Sequence, residues 1–451
     1  MRIVIFTIGT EGDVRPLVAL ARGLLQAGHQ VRIATDAGCA DLVRENGIDH
    51  AGLSGDFFAW MRSDRRTMER GLASFSILAE ARRRLRAMAI DWPEQGRAAA
   101  RDADLLIGNG MVYYLAASLG ESLGLPVVES QLIPTLPSHM PPPLPLPQRM
   151  YRLPGFANKA LGHATRLMVW NTLRPVYNEI VRPALGLAPY PLLAPFQAGF
   201  FAHPRLFGFS PVLIEPSSSW PQQTVVTGPW CLESTEKWQP PEALIKFLDR
   251  GPVPIYIGFG SMLHHDAAGF TDKVLSAVKA SGKRAVLATG WGGLRETLDI
   301  DASQAFVLEH APHDWLLPRM TLAVHHGGAG TTAAAVRAGI PSVVIPVFGD
   351  QPFWAARLEH LGVAPKAVPR ESVTAESLAG AILAADAPEL RSAAKKLGEK
   401  LRAEQGVENA LHALRTWGLL PGKSHLEITS PCSSGYFPPS GDETDYAAIN
   451  T

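Results

Sequence analysis

A glycine-rich run flanked by histidines and threonines is the strongest chemical signal in the sequence. It reads His325-His326-Gly327-Gly328-Ala329-Gly330-Thr331-Thr332, after an apolar stretch and before an alanine-rich one. Small residues let the backbone approach an anion, and the free amides at a helix start point toward it. Threonine hydroxyls and a histidine ring N–H add donors. The run predicts a diphosphate cradle; the alternative is a glycine-rich turn that only packs a helix on a strand.

A second chemical group lies close to the N-terminus. Asp13 follows the apolar run Ile3 to Ile8 across a turn from Gly9 to Gly12. A carboxylate at the carboxyl end of a parallel strand can take a proton from a substrate hydroxyl. Asp13 could instead cap the helix predicted from Pro16 to Ala27, and a capping bond would also orient its carboxylate.

Two series of alternating strands and helices would position these groups. Continuous apolar runs are typical of strands buried on both faces of a parallel sheet. The first series has strands at Ile3–Ile8, Val31–Thr35, Leu105–Ile107 and Val127–Val128. The second has strands at Val253–Phe259, Ala285–Thr289, Ala305–Leu308, Leu322–His325 and Ser342–Pro346. The pattern predicts two α/β domains of the Rossmann-like, doubly wound type, facing a cleft.

The predicted division of the chain follows from where this periodicity is interrupted. We expect a first α/β domain over 1–228, a linker over 229–250, a second α/β domain that carries the cradle over 251–400, a C-terminal helix over 401–421 that packs back on the first domain, and a flexible tail over 422–451. The tail is rich in Ser, Pro, Gly and acidic residues and has no apolar period.

Composition excludes several classes of protein. The 451 residues are 46% apolar and 19% charged, and 42 Lys plus Arg balance 42 Asp plus Glu, so a basic footprint for nucleic acid is absent. No stretch approaches the roughly 20 apolar residues that span a bilayer. Cys39, Cys231 and Cys432 are too few and scattered for a disulfide framework, which favours the cytoplasm.

Several motifs together resemble the nucleotide-sugar glycosyltransferases of family 1, which have the two-Rossmann GT-B fold, and specifically their sterol glucosyltransferase and antibiotic glycosyltransferase branch. The cradle resembles the donor-binding signature of that family. The other matching segments are Gly9-Thr10-Glu11-Gly12-Asp13-Val14-Arg15-Pro16, Ala311-Pro312-His313-Asp314-Trp315-Leu316, Gly349-Asp350-Gln351 and Trp354-Ala355-Ala356-Arg357.

The resemblance implies a role for each matching residue. Asp13 would be the catalytic base. The donor diphosphate would contact Ser261, His326, Gly328, Gly330, Thr331 and Thr332; the nucleoside would contact His310, His313 and Trp315; and the sugar would contact Asp350 and Gln351. Acceptor contacts are expected from Asn109, Met111, Tyr113 and Leu132. No cofactor or metal is expected, because amides, histidine and hydroxyls would neutralise the leaving group.

Four positions depart from the plant members of the family. Asp13 replaces their catalytic histidine, and Asn109 stands where an aspartate orients that histidine. The change is coherent, because a carboxylate has no tautomer to fix. His310 stands where a tryptophan stacks on the base, and Ala334 replaces the glutamate that binds the ribose. UDP and dTDP donors therefore both remain open, with UDP-glucose favoured by resemblance.

The function expected from these observations is inverting, metal-independent transfer of a hexose to a hydroxyl of an apolar acceptor such as a sterol, polyketide, flavonoid or lipid. Apolar side chains in the first half support such an acceptor, among them Phe57, Phe58 and Trp60. The alternatives are a dTDP-deoxysugar or rhamnosyl transferase and a non-catalytic nucleotide-sugar-binding activator subunit. An NAD-dependent oxidoreductase is disfavoured, since Arg15-Pro16 occupies the place of the third glycine of that fingerprint.

One charged segment lies outside this scheme. Residues 61–86 hold eight Arg against three acidic residues, with apolar side chains at helical spacing among them. The segment is either a solvated helix face or a peripheral membrane contact.

Overall fold

A computed structural model describes residues 1–55, 75–197, 200–232, 238–259, 267–290, 301 and 303–422. Within these ranges the chain forms two parallel sheets, one of seven strands and one of five. We call the part of the chain built on the first sheet the N-terminal lobe, and the part built on the second the C-terminal lobe. The predicted two-domain α/β architecture is confirmed.

The N-terminal sheet has the strand order β3-β2-β1-β4-β5-β6-β7, with every pair parallel. Its central strand pairs Ile5 with Ile33 on one side and with Ile107 on the other, and all three side chains are fully buried. Such two-sided burial explains the continuous apolar runs. The strands are β1 (Arg2–Phe6), β2 (Gln30–Thr35), β3 (Asp49–Gly52), β4 (Leu105–Asn109), β5 (Val127–Gln131), β6 (Arg205–Phe207) and β7 (Thr224–Val226).

Three of these strands were not predicted. β3, β6 and β7 lie at or next to the sheet edges and span only three or four residues. Periodicity cannot distinguish so short a run from a loop. The neighbouring strand supplies their hydrogen bonds, so tertiary pairing defines them.

The C-terminal sheet has the order β10-β9-β8-β11-β12, again parallel throughout. Its strands lie where the sequence predicts them, shortened by up to three residues. They are β8 (Ile255–Gly258), β9 (Ala285–Ala288), β10 (Ala305–Leu308), β11 (Ala323–His325) and β12 (Ser342–Val344).

Helices cover the faces of both sheets. In the N-terminal lobe they are α1 (Glu11–Gln26), α2 (Ala40–Glu45), α3 (Phe75–Ala89), α4 (Trp92–Ala100), α5 (Tyr113–Leu123), α6 (Gly155–Val176) and α7 (Arg182–Ala184). After them come α8 (Glu242–Asp249), α9 (Ala267–Ser281), α10 (His313–Leu316), α11 (Ala329–Ala338), α12 (Gln351–His360), α13 (Ala375–Ala385), α14 (Pro388–Arg402) and α15 (Gly406–Thr416).

Helix α1 begins five residues before the predicted start at Pro16. The residues expected to form a turn are already helical, because Thr10 and Asp13 together satisfy the amides of the first turn. The earlier start carries Asp13 into the helix, at its third position.

The last helix returns to the first lobe. Ala410, Leu411 and Leu414 of α15 share one buried apolar cluster with residues of α1 and β1. Glu404 lies just before α15, and its Oε1 accepts a hydrogen bond of 2.6 Å from the hydroxyl of Ser210 in the N-terminal lobe. None of the helices in the described ranges is both long enough and apolar enough to cross a bilayer.

Candidate active site

The turn after β11 is shaped by His325, a residue to which the sequence assigned no separate role. His325 is fully buried, and its Nδ1 accepts a hydrogen bond of 3.0 Å from the amide of Gly327. Burial lowers the pKa of His325 to about 3, so the ring is neutral. Gly327 has φ +88°, and a Cβ there would come within 2.7 Å of Val344 Cγ1. The turn therefore requires glycine, and His325 fixes its direction.

His326, the next residue, lies against the start of α11. Its Nε2 would be 2.5 Å from a Cβ added at Gly328, so the close approach of ring and backbone depends on that glycine. Burial lowers the pKa of His326 to about 4. A neutral imidazole keeps one N–H, which can donate to a phosphate oxygen. Nδ1 is buried and has no hydrogen-bond partner within the described parts of the chain.

The start of α11 provides the amides of the cradle. Gly328 is the N-cap, and its carbonyl accepts the first helical hydrogen bond from Thr332 N at 2.9 Å. The amides of 329–331 precede that bond and have no carbonyl one turn back to donate to. Gly330 is exposed, and a Cβ there would meet no protein atom within 4 Å. The space beside Gly330 at the helix start is therefore free of protein atoms among the described residues.

The two threonines of the cradle differ in position. Thr331 is half-buried at the helix start, so its hydroxyl is near the open space. Thr332 is fully buried, its amide is engaged by Gly328, and its hydroxyl has no partner in the ranges described above. Of the two, Thr331 has the more accessible donors.

Asp350 and Gln351 lie beyond β12, at the start of α12. Trp354 Nε1 donates to Asp350 Oδ2 at 2.7 Å. Gln351 is buried, and its Oε1 accepts from the amides of Val347 at 2.7 Å and Phe348 at 3.1 Å. The side-chain carbonyl of Gln351 thus stabilises the loop between β12 and α12. Asp350 is half-buried at the surface of the lobe.

Asp13 in the opposite lobe is held through one of its two carboxylate oxygens. Oδ2 accepts from Thr10 N at 2.8 Å and from Thr10 Oγ1 at 2.9 Å. Oδ1 has no hydrogen-bond partner among the described residues. Burial raises the pKa of Asp13, and the two bonds from Thr10 oppose that shift. A Cβ at Gly9 would lie 2.8 Å from Asp13 Cγ. The carboxylate can therefore take this position only because residue 9 has no side chain.

Charges act across the gap between the lobes at this edge. Burial, together with the charge of Asp13, raises the pKa of Asp350 to about 6, although the Trp354 bond lowers it. Arg15 of α1 likewise helps to lower the pKa of His313, for which burial is the main cause. Such interactions fall off with distance. The start of α1 is therefore within the range of charge interaction of Asp350 and His313.

The three predicted nucleoside residues have different surroundings. Tyr256 OH and His313 Nε2 are 3.2 Å apart, and burial lowers the pKa of His313 to about 4. His310 is exposed and close enough for its charge to lower that pKa further. Trp315 packs on Trp238 with ring centroids 5.1 Å apart and lies under the guanidinium of Arg319. His310 and His313 therefore neighbour each other, whereas Trp315 is part of a packed stack.

The four predicted acceptor residues are mostly engaged in the interior of the N-terminal lobe. Asn109 is buried and donates from Nδ2 to Thr7 Oγ1 at 3.3 Å. Tyr113 is 2% exposed, lies in an aromatic cluster, and its OH is 2.8 Å from His203 Nδ1. Met111 and Leu132 are partly buried against the two apolar clusters of this lobe.

Some predicted residues lie outside the described ranges. Ser261, expected at the diphosphate, is one of them, as are the apolar residues Phe57, Phe58 and Trp60. Among the residues that are described, no group of three or more His, Cys, Asp or Glu is placed to hold a metal ion.

Comparison with solved structures identifies the fold. The glycosyltransferase of kitacinnamycin aligns with a TM-score of 0.67 at 20% identity, covering 93% of this chain and 99% of that one. The spinosyn rhamnosyltransferase SpnG aligns with a TM-score of 0.64 at 21% identity, covering 93% and 100%. Together with the two parallel sheets, these matches show that the fold is GT-B.

Sequence comparison gives the family. Residues 3–105 match the glycosyltransferase family 28 N-terminal domain, and residues 303–411 match the erythromycin biosynthesis protein CIII-like C-terminal domain. A sterol 3-beta-glucosyltransferase of Arabidopsis thaliana is 32% identical over 423 residues, or 92% of this chain and 67% of that protein. One from the fungus Leptosphaeria maculans is 32% identical over 92% of this chain but only 28% of its own length. The chain belongs to the glycosyltransferase family that contains these enzymes.

Proposed function

We propose that this glycosyltransferase moves a hexose, glucose from UDP-glucose, to the hydroxyl of a sterol or a similar apolar alcohol, with inversion and without a metal ion. The observation that carries the proposal is Asp13, whose carboxylate is fixed through Oδ2 and open at Oδ1, at the gap that Asp350 faces. The relatives named as sterol 3-beta-glucosyltransferases support the acceptor class and the sugar.

The reaction is a single displacement at the anomeric carbon. The acceptor oxygen forms a bond to that carbon while its proton passes to Asp13 Oδ1. The bond from the anomeric carbon to the diphosphate oxygen breaks on the opposite face, which inverts the configuration. A positioned base of this kind contributes roughly 10²–10⁴-fold to the rate.

The departing diphosphate would be stabilised by the cradle. The open amides of 329–331, the ring N–H of His326 and the hydroxyl of Thr331 can donate to its oxygens. Fixed donors aimed at a developing charge replace the role that a metal ion has in other transferases. Asp350 would bind the sugar hydroxyls, since carboxylate oxygens accept hydrogen bonds from a polyol.

A donor and acceptor panel tests the proposal. The purified chain is incubated with UDP-glucose, UDP-galactose, dTDP-glucose and dTDP-rhamnose against a sterol, a flavonoid and a macrolide aglycone. Products are identified by mass spectrometry, and the anomeric configuration is determined by NMR. We expect β-glucoside of the sterol from UDP-glucose, unchanged by EDTA. No product with any pair, or a product of retained configuration, would contradict the proposed mechanism.

The rhamnosyl alternative is decided by the same panel. SpnG has this fold, but its low identity carries no information on the donor of this chain. Product from dTDP-rhamnose in preference to UDP-glucose would replace the proposed donor while leaving the roles of Asp13 and the cradle intact.

A further inference from the structure

A cavity lies in the N-terminal lobe, and neither Asp13 nor any residue of the cradle lines it. It has a volume of about 460 Å³ and lies between α6, the loop after β5 and the loops that precede β6 and β7. Its lining includes Pro137, Phe201 and Trp220, so part of its surface is apolar. No role was assigned to it from the sequence.

The titratable side chains on the walls of this cavity are basic or histidine, and no described lining residue is acidic. They are Lys159, His163, Arg166, His203 and Arg205. The first three are spaced four and three residues apart on α6, which places them on one face of that helix. Arg205 is balanced by Glu129, at 2.7 Å, and His203 is engaged by Tyr113. The unbalanced charge therefore comes from Lys159 and Arg166.

Arg166 is the central feature of the cavity. It is half-buried, yet it forms neither an ion pair nor a hydrogen bond with any described residue. Its guanidinium lies 5.6 Å from the centre of the Phe196 ring, and burial lowers its pKa. A partly desolvated cation without a counterion is unfavourable and is stabilised by a bound anion. The cavity is thus suited to a phosphate group.

Exposed apolar side chains lie next to the same cavity, and we call them its rim. Phe200 lines the cavity, and the Phe196 ring contacts Arg166 and His163 of its wall. Leu192 and Leu193 precede them in the chain, and all four side chains are between 40% and 52% exposed. Large apolar side chains grouped on a surface mark an interaction site. A free phosphate ion would occupy only the space beside Arg166 and leave this rim in water. A phospholipid layer would cover both.

We propose that this surface binds the protein to an anionic lipid bilayer, with a phospholipid phosphate beside Arg166 and Lys159 and the rim side chains Leu192, Leu193, Phe196 and Phe200 inserted among the head groups. Basic residues next to an apolar rim are the combination that binds the interface of anionic membranes. The proposal concerns a surface outside the reaction machinery, and it can be tested without donor or acceptor.

The arginine-rich segment that the sequence offered for membrane contact differs from Arg166 where it is described. Arg83 and Arg84 share Glu80 at 2.8 and 2.5 Å, and Arg86 pairs with Glu179 at 2.7 Å. Arg82 donates to the carbonyl oxygen of Asn171 at 2.8 Å. Each of these guanidinium groups therefore has a polar partner, whereas Arg166 has none among the described residues. Residues 61–74 lie outside the described ranges.

Vesicle co-sedimentation tests the proposal on the full chain. Vesicles of phosphatidylcholine alone are compared with vesicles that contain one third phosphatidylglycerol. We expect binding to the anionic vesicles, weakened by salt. The double variant Lys159→Gln/Arg166→Gln should bind about 25-fold more weakly, because each cation near an anionic surface contributes about 1 kcal/mol, or about fivefold. Leu193→Ser/Phe196→Ser, at exposed positions, should also reduce binding.

A matched control removes two cations from the other lobe. Arg391→Gln/Lys395→Gln changes α14, which lines a separate basic cavity, by the same net charge. This variant should bind vesicles as the unmodified chain does. All variants should keep their melting temperature and their turnover of a detergent-dispersed acceptor, which separates this proposal from the proposed reaction.

Four outcomes would contradict the proposed binding to anionic membranes. They are absence of vesicle binding by the unmodified chain, full binding by Lys159→Gln/Arg166→Gln, equal loss in the α14 control, and failure of the rim variant to weaken binding. Calorimetric titration with inorganic phosphate and glycerol 3-phosphate tests whether the bound anion is a free phosphate compound instead of a phospholipid head group. Affinity for these free ions equal to that for vesicles would assign the cavity to a free phosphate compound instead.

Discussion

Replacing Asp13 by asparagine tests the centre of the proposed mechanism. Asparagine has the same size, and its Oδ1 can accept both hydrogen bonds that Thr10 now donates to Asp13 Oδ2. Its amide nitrogen then stands where the open carboxylate oxygen was. An amide nitrogen cannot take a proton from the acceptor hydroxyl. The variant therefore keeps the start of α1 and loses only the base.

The expected loss in kcat is about 10²–10⁴-fold, the contribution of a positioned general base, which corresponds to about 3–5 kcal/mol. The affinity for UDP should be unchanged, because the cradle lies in the other lobe. The unmodified enzyme should lose activity on the acid side, where Asp13 is protonated, at a pH above the ordinary range of an aspartate, since burial raises its pKa. That acid limb should be absent from the residual activity of the variant.

The assay combines steady-state kinetics over pH 4–9 with calorimetric titration of UDP. Thr10→Val is the matched control: it removes the hydroxyl bond to Asp13 but keeps the amide bond and the base. Its loss should be near tenfold, since the amide bond to Asp13 remains and the lower end of the value of a hydrogen bond to a charged group, about 1.5 kcal/mol, then applies. Near-normal turnover by Asp13→Asn, with intact UDP binding, would remove Asp13 from the mechanism.

The other predictions concern the cradle, Asp350 and the interlobe contact. His326→Ala should lower kcat about 10²-fold through loss of one donor to the leaving group, measured with saturating donor; an unchanged kcat would place His326 outside the cradle. Gly330→Ala adds a methyl group that meets no protein atom, so it should leave the melting temperature unchanged while raising KM for the donor. Asp350→Asn removes a negative charge near the base, so the acid limb of kcat/KM should move to lower pH; a limb that stays in place would show that the two carboxylates do not interact. Burial raises the pKa of Glu404 to about 7, so the folded state holds a proton that the unfolded chain releases near its ordinary value of 4.5. The free energy of unfolding should then fall by roughly 1–2 kcal/mol between pH 5 and 7, and Glu404→Gln should abolish that dependence in urea titrations.

The cradle could be predicted from sequence because its geometry is local. A strand, a turn that needs glycine and a helix start are consecutive in the chain, so His326, Gly328 and Gly330 are placed by their neighbours. The role of His325 was missed, although it is adjacent. His325 is buried and accepts a hydrogen bond from the amide of Gly327. The only sign of this role in the sequence is the position of His325 at the end of a strand.

Other features could not be predicted because distant segments create them. Strand β6 exists because β5 supplies its partners, about 75 residues earlier in the chain. The side chain of Tyr113 packs against Phe201 and His203 of the loop that precedes β6, a surrounding that the polar and apolar pattern of its own segment does not encode. The effect of Asp13 on the pKa of Asp350 joins residues more than 300 positions apart.

The sequence by itself determined the two parallel sheets, the glycine turn after β11 and the helix start that follows it, because apolar runs and glycine positions act over a few residues. Tertiary structure alone decided which carboxylate oxygen of Asp13 stays open, that Asp350 is near enough for the two charges to interact, and that Arg166 is half-buried with no ion-pair partner among the described residues. Burial and charge interaction depend on every segment that packs around a group, and those segments come from throughout the chain.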